Sequence, residues 1–355
     1  MLLVGAACRK TSHVPRLCQG SRQRHARLLH GQQTQPNSDT SENLRISYEG
    51  LAWASTHGYC SAAMSTSKSL VPLRFSLVGP GRVGCSLAHW LTARGAEIVA
   101  VAGRDPERSG SLARQLGGTP TEVDQLQTEG QALLLLAVSD PALSPVATVL
   151  AERPQAEVAL HTAGALDASV LAPLQVAGSS IGSLHPLMAF PRVLTDPGRA
   201  AGMVFALDGD PPARDLAERI VLAWDGIPVL VTAEERPIYH LGASIAAGGV
   251  VTLLATAFEM ASRQGLPSEV MQGYLALARG ALEQASRSDR VADAITGPVA
   301  RGDMETFQRQ IKSLEELDPS LTRAVIALAD LTRRFTAKES DAHAPSTERT
   351  QAPKP

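Results

Sequence analysis

The apolar residues of this chain fall into two regimes that meet near Glu234. Before that point, short apolar runs bounded by glycines and prolines alternate with amphipathic stretches. The runs at 73–78, 97–102, 132–138, 157–161, 179–184, 203–207 and 227–231 predict strands, with helices at 83–93, 106–116, 141–152 and 213–224 between them. Residues 132–138 are apolar throughout, as expected of a strand buried on both faces of a parallel sheet. The alternation over 71–185 predicts an α/β fold with an N-terminal doubly wound, Rossmann-type sheet. After Glu234 only helical periodicities remain, at 236–264, 268–285, 304–316 and 319–337, and they predict an all-α C-terminal domain. The first of these helices is apolar over much of its circumference (Leu241, Ile245, Val250, Val251, Leu253, Leu254). It has to be buried against its own domain or a second subunit.

The first predicted strand runs directly into Gly79-Pro80-Gly81-Arg82-Val83-Gly84 and then into a helix. This order makes a backbone cradle for a pyrophosphate. The first glycine permits the tight turn, the second lets the main chain approach the phosphates, and the third lets helix pack on strand. Unpaired N–H groups and the positive end of the helix dipole face the ligand. The second strand ends in Gly103-Arg104, where NAD-binding folds usually carry Asp or Glu for the ribose 2'-hydroxyl. A neutral glycine followed by a guanidinium suits a 2'-phosphate, which favours NADP over NAD. Asp105 reads as the cap of the helix that follows. Val138 and Ser139, closing the apolar strand, are expected to line the path of the nicotinamide ribose, with Asp140 either beside them or capping the next helix. The expected organisation is a leader over 1–68, a dinucleotide-binding domain over 69–232, a helical substrate and dimerisation domain over 233–338, and a disordered tail over 339–355.

Three histidines are candidates for proton transfer. His161 and His185 close strands that open on the same crevice, and His240 lies one turn into the long helix with Ser244 at i+4 on its face. Each has a structural alternative, as a loop-bonded, helix-surface or interface histidine. Ser183, Ser244, Thr296 and Arg301 are candidate substrate contacts, the last two in this crevice or in that of a partner subunit; Asp303 reads as a helix cap.

Composition narrows the picture. A net charge of -2 over 355 residues argues against a general nucleic-acid binder. Residues 1–70 hold eight Lys/Arg against three Asp/Glu, the remainder 25 against 32. The basic, Ser- and Gln-rich start resembles an organelle transit peptide, and Met64 is an alternative start. The expected location is cytoplasmic, or mitochondrial if that leader is a transit peptide. Three of the four cysteines lie in the leader, so the body, with Cys85 alone, is expected to hold neither a disulfide nor a cysteine-based metal site. No apolar run is expected to span a membrane.

Together Leu77–Gly84, Ser183-Leu184-His185-Pro186-Leu187, Thr296-Gly297-Pro298 and Arg301-Gly302-Asp303 carry a resemblance over about 71–338 to the Rossmann-like proteins with an appended DUF2520 domain. The layout is similar to that of pyrroline-5-carboxylate reductases, ketopantoate reductases and β-hydroxyacid dehydrogenases. The resemblance implies an NAD(P)-linked, dimeric oxidoreductase. It departs at one point: the Lys and Asn that the last two groups use on the interdomain helix are missing between Tyr239 and Met260. The leading expectation is NADPH-linked reduction of a small carbonyl or imine; the alternative is a non-catalytic dinucleotide-binding sensor or scaffold. A deazaflavin-linked NADP oxidoreductase is a third.

Overall fold

The computed structural model describes residues 69–191 and 195–337; the leader and the tail expected from the sequence lie outside them. The chain runs β1 (Arg74–Val78), α1 (Arg82–Ala93), β2 (Glu97–Ala102), α2 (Pro106–Leu116), β3 (Thr119–Thr121), β4 (Leu133–Leu136), α3 (Asp140–Leu150), β5 (Val158–His161), α4 (Ala172–Val176) and β6 (Ser180–Pro186). It continues with β7 (Val204–Gly209), α5 (Pro211–Ala223), β8 (Ile227–Leu230) and the helices α6 (Arg236–Ser244), α7 (Val250–Arg263), α8 (Ser268–Arg287), α9 (Met304–Leu317) and α10 (Pro319–Thr336). The eight strands form one sheet in the order β3-β2-β1-β4-β5-β6-β7-β8. Every pairing is parallel except β6 with β7. Strand order reverses between β1 and β4, and ligands of such sheets lie at that reversal, beyond the carboxyl ends of the strands.

The sheet is covered on both faces. Trp90 of α1, Trp224 and Phe205 pack on one side, Leu134, Leu136, Leu143 and Leu171 on the other. Burial on two faces explains why β4 is four leucines in succession. The short β3 and α4 have no periodicity to announce them and are absent from the expected elements.

One expectation needs correction. Pro237 to Phe258 contains no Asp, Glu, Lys or Arg, and the continuous helix Arg236–Arg263 is long and apolar enough to cross a membrane by length and composition alone. Glycines, threonines, Tyr239 and His240 interrupt the run without adding charge, which hides it from a search for unbroken apolar residues. A π-helical turn, Ile245–Gly249, joins α6 to α7 within it.

Candidate active site

The glycine loop has the geometry a dinucleotide cradle needs. Gly79 sits at φ +95, and a Cβ there would lie 2.6 Å from the Ala137 carbonyl oxygen. A Cβ on Gly84 would lie 2.2 Å from the Gly79 oxygen, so only glycine lets α1 close on β1. Gly81 opens on free space, with nothing within 4 Å of an added Cβ. It caps α1 without a side-chain hydrogen bond, leaving the first-turn amides to an outside acceptor. The same main chain therefore both packs and receives, and the residues present fit a pyrophosphate. Pro80 is buried against Gly103, where a Cβ would meet its Cδ at 2.6 Å. Cys85 is half-buried, its thiol 3.3 Å from the Pro80 carbonyl; burial pushes its pKa up.

Two clefts continue from this loop. One, of about 460 Å³, is lined by Gly103, Arg104, Val123 and Val149, with Glu122 and Asp124 also on its wall. Asp105 caps α2 through the Arg108 amide, as its position predicts. Arg104 is the cation available there to a 2'-phosphate; Glu122 and Asp124 are the carboxylates available to a bare ribose. The second cleft, of about 310 Å³, runs from Gly81, Arg82 and Val83 past Val138, Ser139 and Asp140 to Gly164, His185 and His240. Asp140 lies within the first turn of α3, whose cap is Ser139, so it is not the cap.

The pleat decides which side chains meet behind this second cleft. His161, Ser183 and Asp208 face one another across β5, β6 and β7, and His185 lies two residues beyond Ser183 on the same face. Arg236, the first residue of α6, enters this row fully buried. Its guanidinium donates to Ser183 Oγ and to the Ala163 carbonyl (3.5 Å), and its Nε lies 3.6 Å from Asp208 Oδ2. Asp208 also accepts from the Ala168 amide at 3.2 Å. A Thr232-x-x-Glu235 turn sets this entry, Glu235 Oε2 accepting from the Thr232 amide at 2.9 Å. Arg236, Asp208 and Tyr239 were not among the expected residues. That turn, and a lone arginine opening a charge-free helix, are the signals that mark the first.

The expected proton donors separate. His161 is fully buried; its Nδ1 accepts from the Ala163 amide at 3.2 Å and its Nε2 donates to the Asp167 carbonyl at 3.0 Å. No nitrogen is left for a substrate, so its place is structural. Ser183 is likewise fully buried, its hydroxyl engaged by Arg236. Ser244 is exposed on α6 and Thr296 and Arg301 are exposed near α9; none of the three lines the cleft of this chain. Asp303 caps α9 through the Thr306 amide. His185 and His240 do reach the cleft, with ring centroids 5.4 Å apart. His185 Nδ1 lies 2.8 Å from the Tyr239 hydroxyl, and His240 Nδ1 is buried without a partner. Burial, reinforced by His240 and Arg236, lowers the His185 pKa to about 4. Burial lowers that of His161 to about 4 as well, opposed by its bond to the Asp167 carbonyl.

A stability measurement checks the His161 assignment. An unfolded histidine titrates near ~6.5, so below that pH the unfolded chain binds the extra proton. Stability is complete above about pH 6.5 and falls as pH drops toward about 4, by an amount on the order of 3 kcal/mol for His161. Denaturant melts between pH 7.5 and 5 are expected to show this slope together with an equal one from His185, and His161→Asn, which keeps one donor and one acceptor, to remove about half of the total. An unchanged slope in the variant would remove His161 as its source.

Comparison with known proteins fits this geometry. Residues 62–186 match the model of the Rossmann-like domain, and residues 203–332 match DUF2520, a domain of unknown function. Its two matched segments are a Rossmann-like domain and a DUF2520 domain. The DUF2520 segment takes in β7 and β8, so the match boundary cuts through the sheet and leaves Ser183 and Asp208 on opposite sides of it. Among solved structures, protein TM1727 from Thermotoga maritima is similar at 23% identity and a TM-score of 0.61, over 76% of this chain and 100% of that one. A suspected NADP oxidoreductase, BF3122 from Bacteroides fragilis, is similar at 20% identity and a TM-score of 0.63, over 75% and 99%. An imine reductase from Myxococcus stipitatus, solved with NADP+, is similar at 14% identity and a TM-score of 0.54, over 74% and 94%. These likenesses establish the fold. A 102-residue stretch is 36% identical to polyketide synthase GfsA from Streptomyces halstedii, covering 28% of this chain and 1% of that enzyme.

Proposed function

We propose that this protein is a nicotinamide-dinucleotide-dependent reductase, NADPH-linked, that acts on a small carbonyl or imine compound. The observation that carries the reading is one continuous cleft from the uncapped start of α1, past Val138 and Ser139, to the imidazoles of His185 and His240. In this reading the backbone of Gly79-Pro80-Gly81-Arg82-Val83-Gly84 holds the pyrophosphate. Gly103 and Arg104 take the adenosine ribose and its 2'-phosphate, and Val138 and Ser139 the nicotinamide ribose. The reduced cofactor supplies a hydride to the substrate carbon. The chain's own work lies at the atom that receives the displaced electron pair. That atom takes a proton from His185 Nε2. His185 is neutral near pH 7, so it releases this proton only as Nδ1 gains one, and the Tyr239 hydroxyl stands 2.8 Å away to give it. The tyrosinate, beside the Arg236 guanidinium, recovers its proton from solvent. NADPH is expected to bind more tightly than NADH by calorimetry, with Arg104→Ala costing NADPH about tenfold and NADH little. Turnover of a carbonyl and imine panel is expected to fall about 100-fold or more in His185→Phe. Absence of binding by either nucleotide would defeat the reading; binding with no turnover across the panel would leave the sensor alternative.

We further propose that a second copy of the chain covers the helical domain. Ile238, Ile245 and Val251 on the long helix and Leu277 on α8 are 74%, 61%, 66% and 71% exposed, far more than a solvated helix face leaves bare. Charges interleave with the apolar residues of α8 and α10 (Arg279, Glu283, Arg323, Asp330), a pattern that suits a protein partner and not lipid. Such pairing is also the route by which Thr296 and Arg301 reach a cleft. Sedimentation is expected to give a dimer, and Val251→Glu with Leu253→Glu a monomer. A monomeric wild type, or one that fractionates with membranes, would overturn the proposal.

A further inference from the structure

We propose that the cleft ends in a receptor for a negatively charged oxygen, built by His185 and His240 over Gly164, and that the reacting group of the substrate is therefore a carbonyl, or the matching alcohol, and not an imine. This deepens the reductase reading and rests on it. A Cβ at Gly164 would lie 2.2 Å from His240 Nδ1 and 2.7 Å from His185 Nε2, so both nitrogens converge on this glycine at the end of the cleft. The Tyr239 hydroxyl holds the other His185 nitrogen, which leaves Nε2–H for the cleft. His240 Nδ1 is buried without a partner, and an unpaired buried polar atom is costly unless a ligand satisfies it. Beneath, Arg236 donates to the carbonyl of Ala163, the neighbour of Gly164, and is itself paired with Asp208.

The remaining charges sharpen the choice. Asp208 already faces Arg236, and Asp167 lies behind the loop, accepting the Ser169 amide. Asp140 is the carboxylate among the described lining residues, and it follows β4, two strands away from β6. Strands are spaced about 4.8 Å, so that carboxylate starts roughly 10 Å from the His185 strand. An oxygen gaining the electron pair of a C=O bond accepts two N–H donors where they stand. A protonated imine brings a positive charge and an N–H donor, and meets the His185 Nε2–H where it needs an acceptor.

The probes are acetate, as a small oxyanion, and pyrrolidinium, as a small ring cation. Each is titrated into the full chain with and without saturating NADP+, and followed through ring-nitrogen NMR signals of 15N-histidine-labelled protein. Acetate is expected to shift His185 and His240 signals, and to bind about tenfold or more weakly in His240→Phe, whose fold is checked by its retained NADP+ affinity. Pyrrolidinium is expected to leave both rings unmoved. Acetate that moves neither ring, acetate binding that His240→Phe leaves unchanged, or tighter binding of pyrrolidinium would overturn the proposal. NADP+ affinity from the same samples reports separately on the reductase reading, and the titration without nucleotide decides the receptor even if that reading fails.

Discussion

Gly164→Ala is expected to abolish most turnover, by about 100-fold or more, while leaving NADPH affinity within a factor of about three. The added methyl would fall 2.7 Å from His185 Nε2 and 2.2 Å from His240 Nδ1, well inside contact distance, so the rings have to shift. Gly164 does not have the positive φ that only glycine tolerates comfortably, so alanine brings steric bulk without backbone strain. His240 Nδ1 has no bond to break and can swing away. His185 is held through Tyr239, so its displacement disrupts the pair proposed to deliver the proton. The phosphate cradle, made by Gly79, Gly81 and Gly84 on another loop, is untouched. Single-turnover kinetics set against nucleotide titration on the same preparation separate the two effects. Full turnover in a folded Gly164→Ala protein would show that chemistry does not occur between these rings.

Much of this architecture is legible in the residues because local and tertiary signals agree. Gly84 is required by the carbonyl of nearby Gly79, Gly79 by its positive φ, and α2 begins and ends where Asp105-Pro106 and Gly117 say it must. The role of a histidine is different. His161 and His185 both close strands beside the same crevice, and nothing local distinguishes them. The loop Thr162–Asp167 turns back over His161 and saturates both its nitrogens, whereas the loop after His185 leaves Nε2 free. Likewise Ser183 looks like a substrate contact until the antiparallel β7 places Asp208 opposite it and α6 lowers Arg236 between them. A strand reversal twenty residues downstream is not written in Ser183. The C-terminal helices show the same limit: their apolar faces are plain in the sequence, but no local signal says what packs on them.

Arg236→Met is expected to destabilise the fold by about 3 kcal/mol in denaturant melts, with the thermal midpoint falling in parallel. Burying a guanidinium costs several kcal/mol, and here Ser183 Oγ, the Ala163 carbonyl and Asp208 offset that cost. Methionine keeps most of the stem's packing but strands the partners. Asp208 then loses its cation while still held by the Ala168 amide, and Ser183 keeps a buried hydroxyl with no donor. The aspartate side chain is 23% exposed, so water can reach it and the loss belongs at the lower end of the range for broken buried pairs. That reasoning makes a second variant informative: Asp208→Asn together with Arg236→Met removes the stranded charge and is expected to recover about 1 kcal/mol relative to Arg236→Met alone. Activity should not recover with stability, because Tyr239 and His240 stand three and four residues along the helix that Arg236 anchors, and the guanidinium proposed to support a tyrosinate is gone. Equal stability of the single and double variants would mean that Asp208 is already satisfied by solvent and the Ala168 amide, and that Arg236 is held by Ser183 and Ala163 alone.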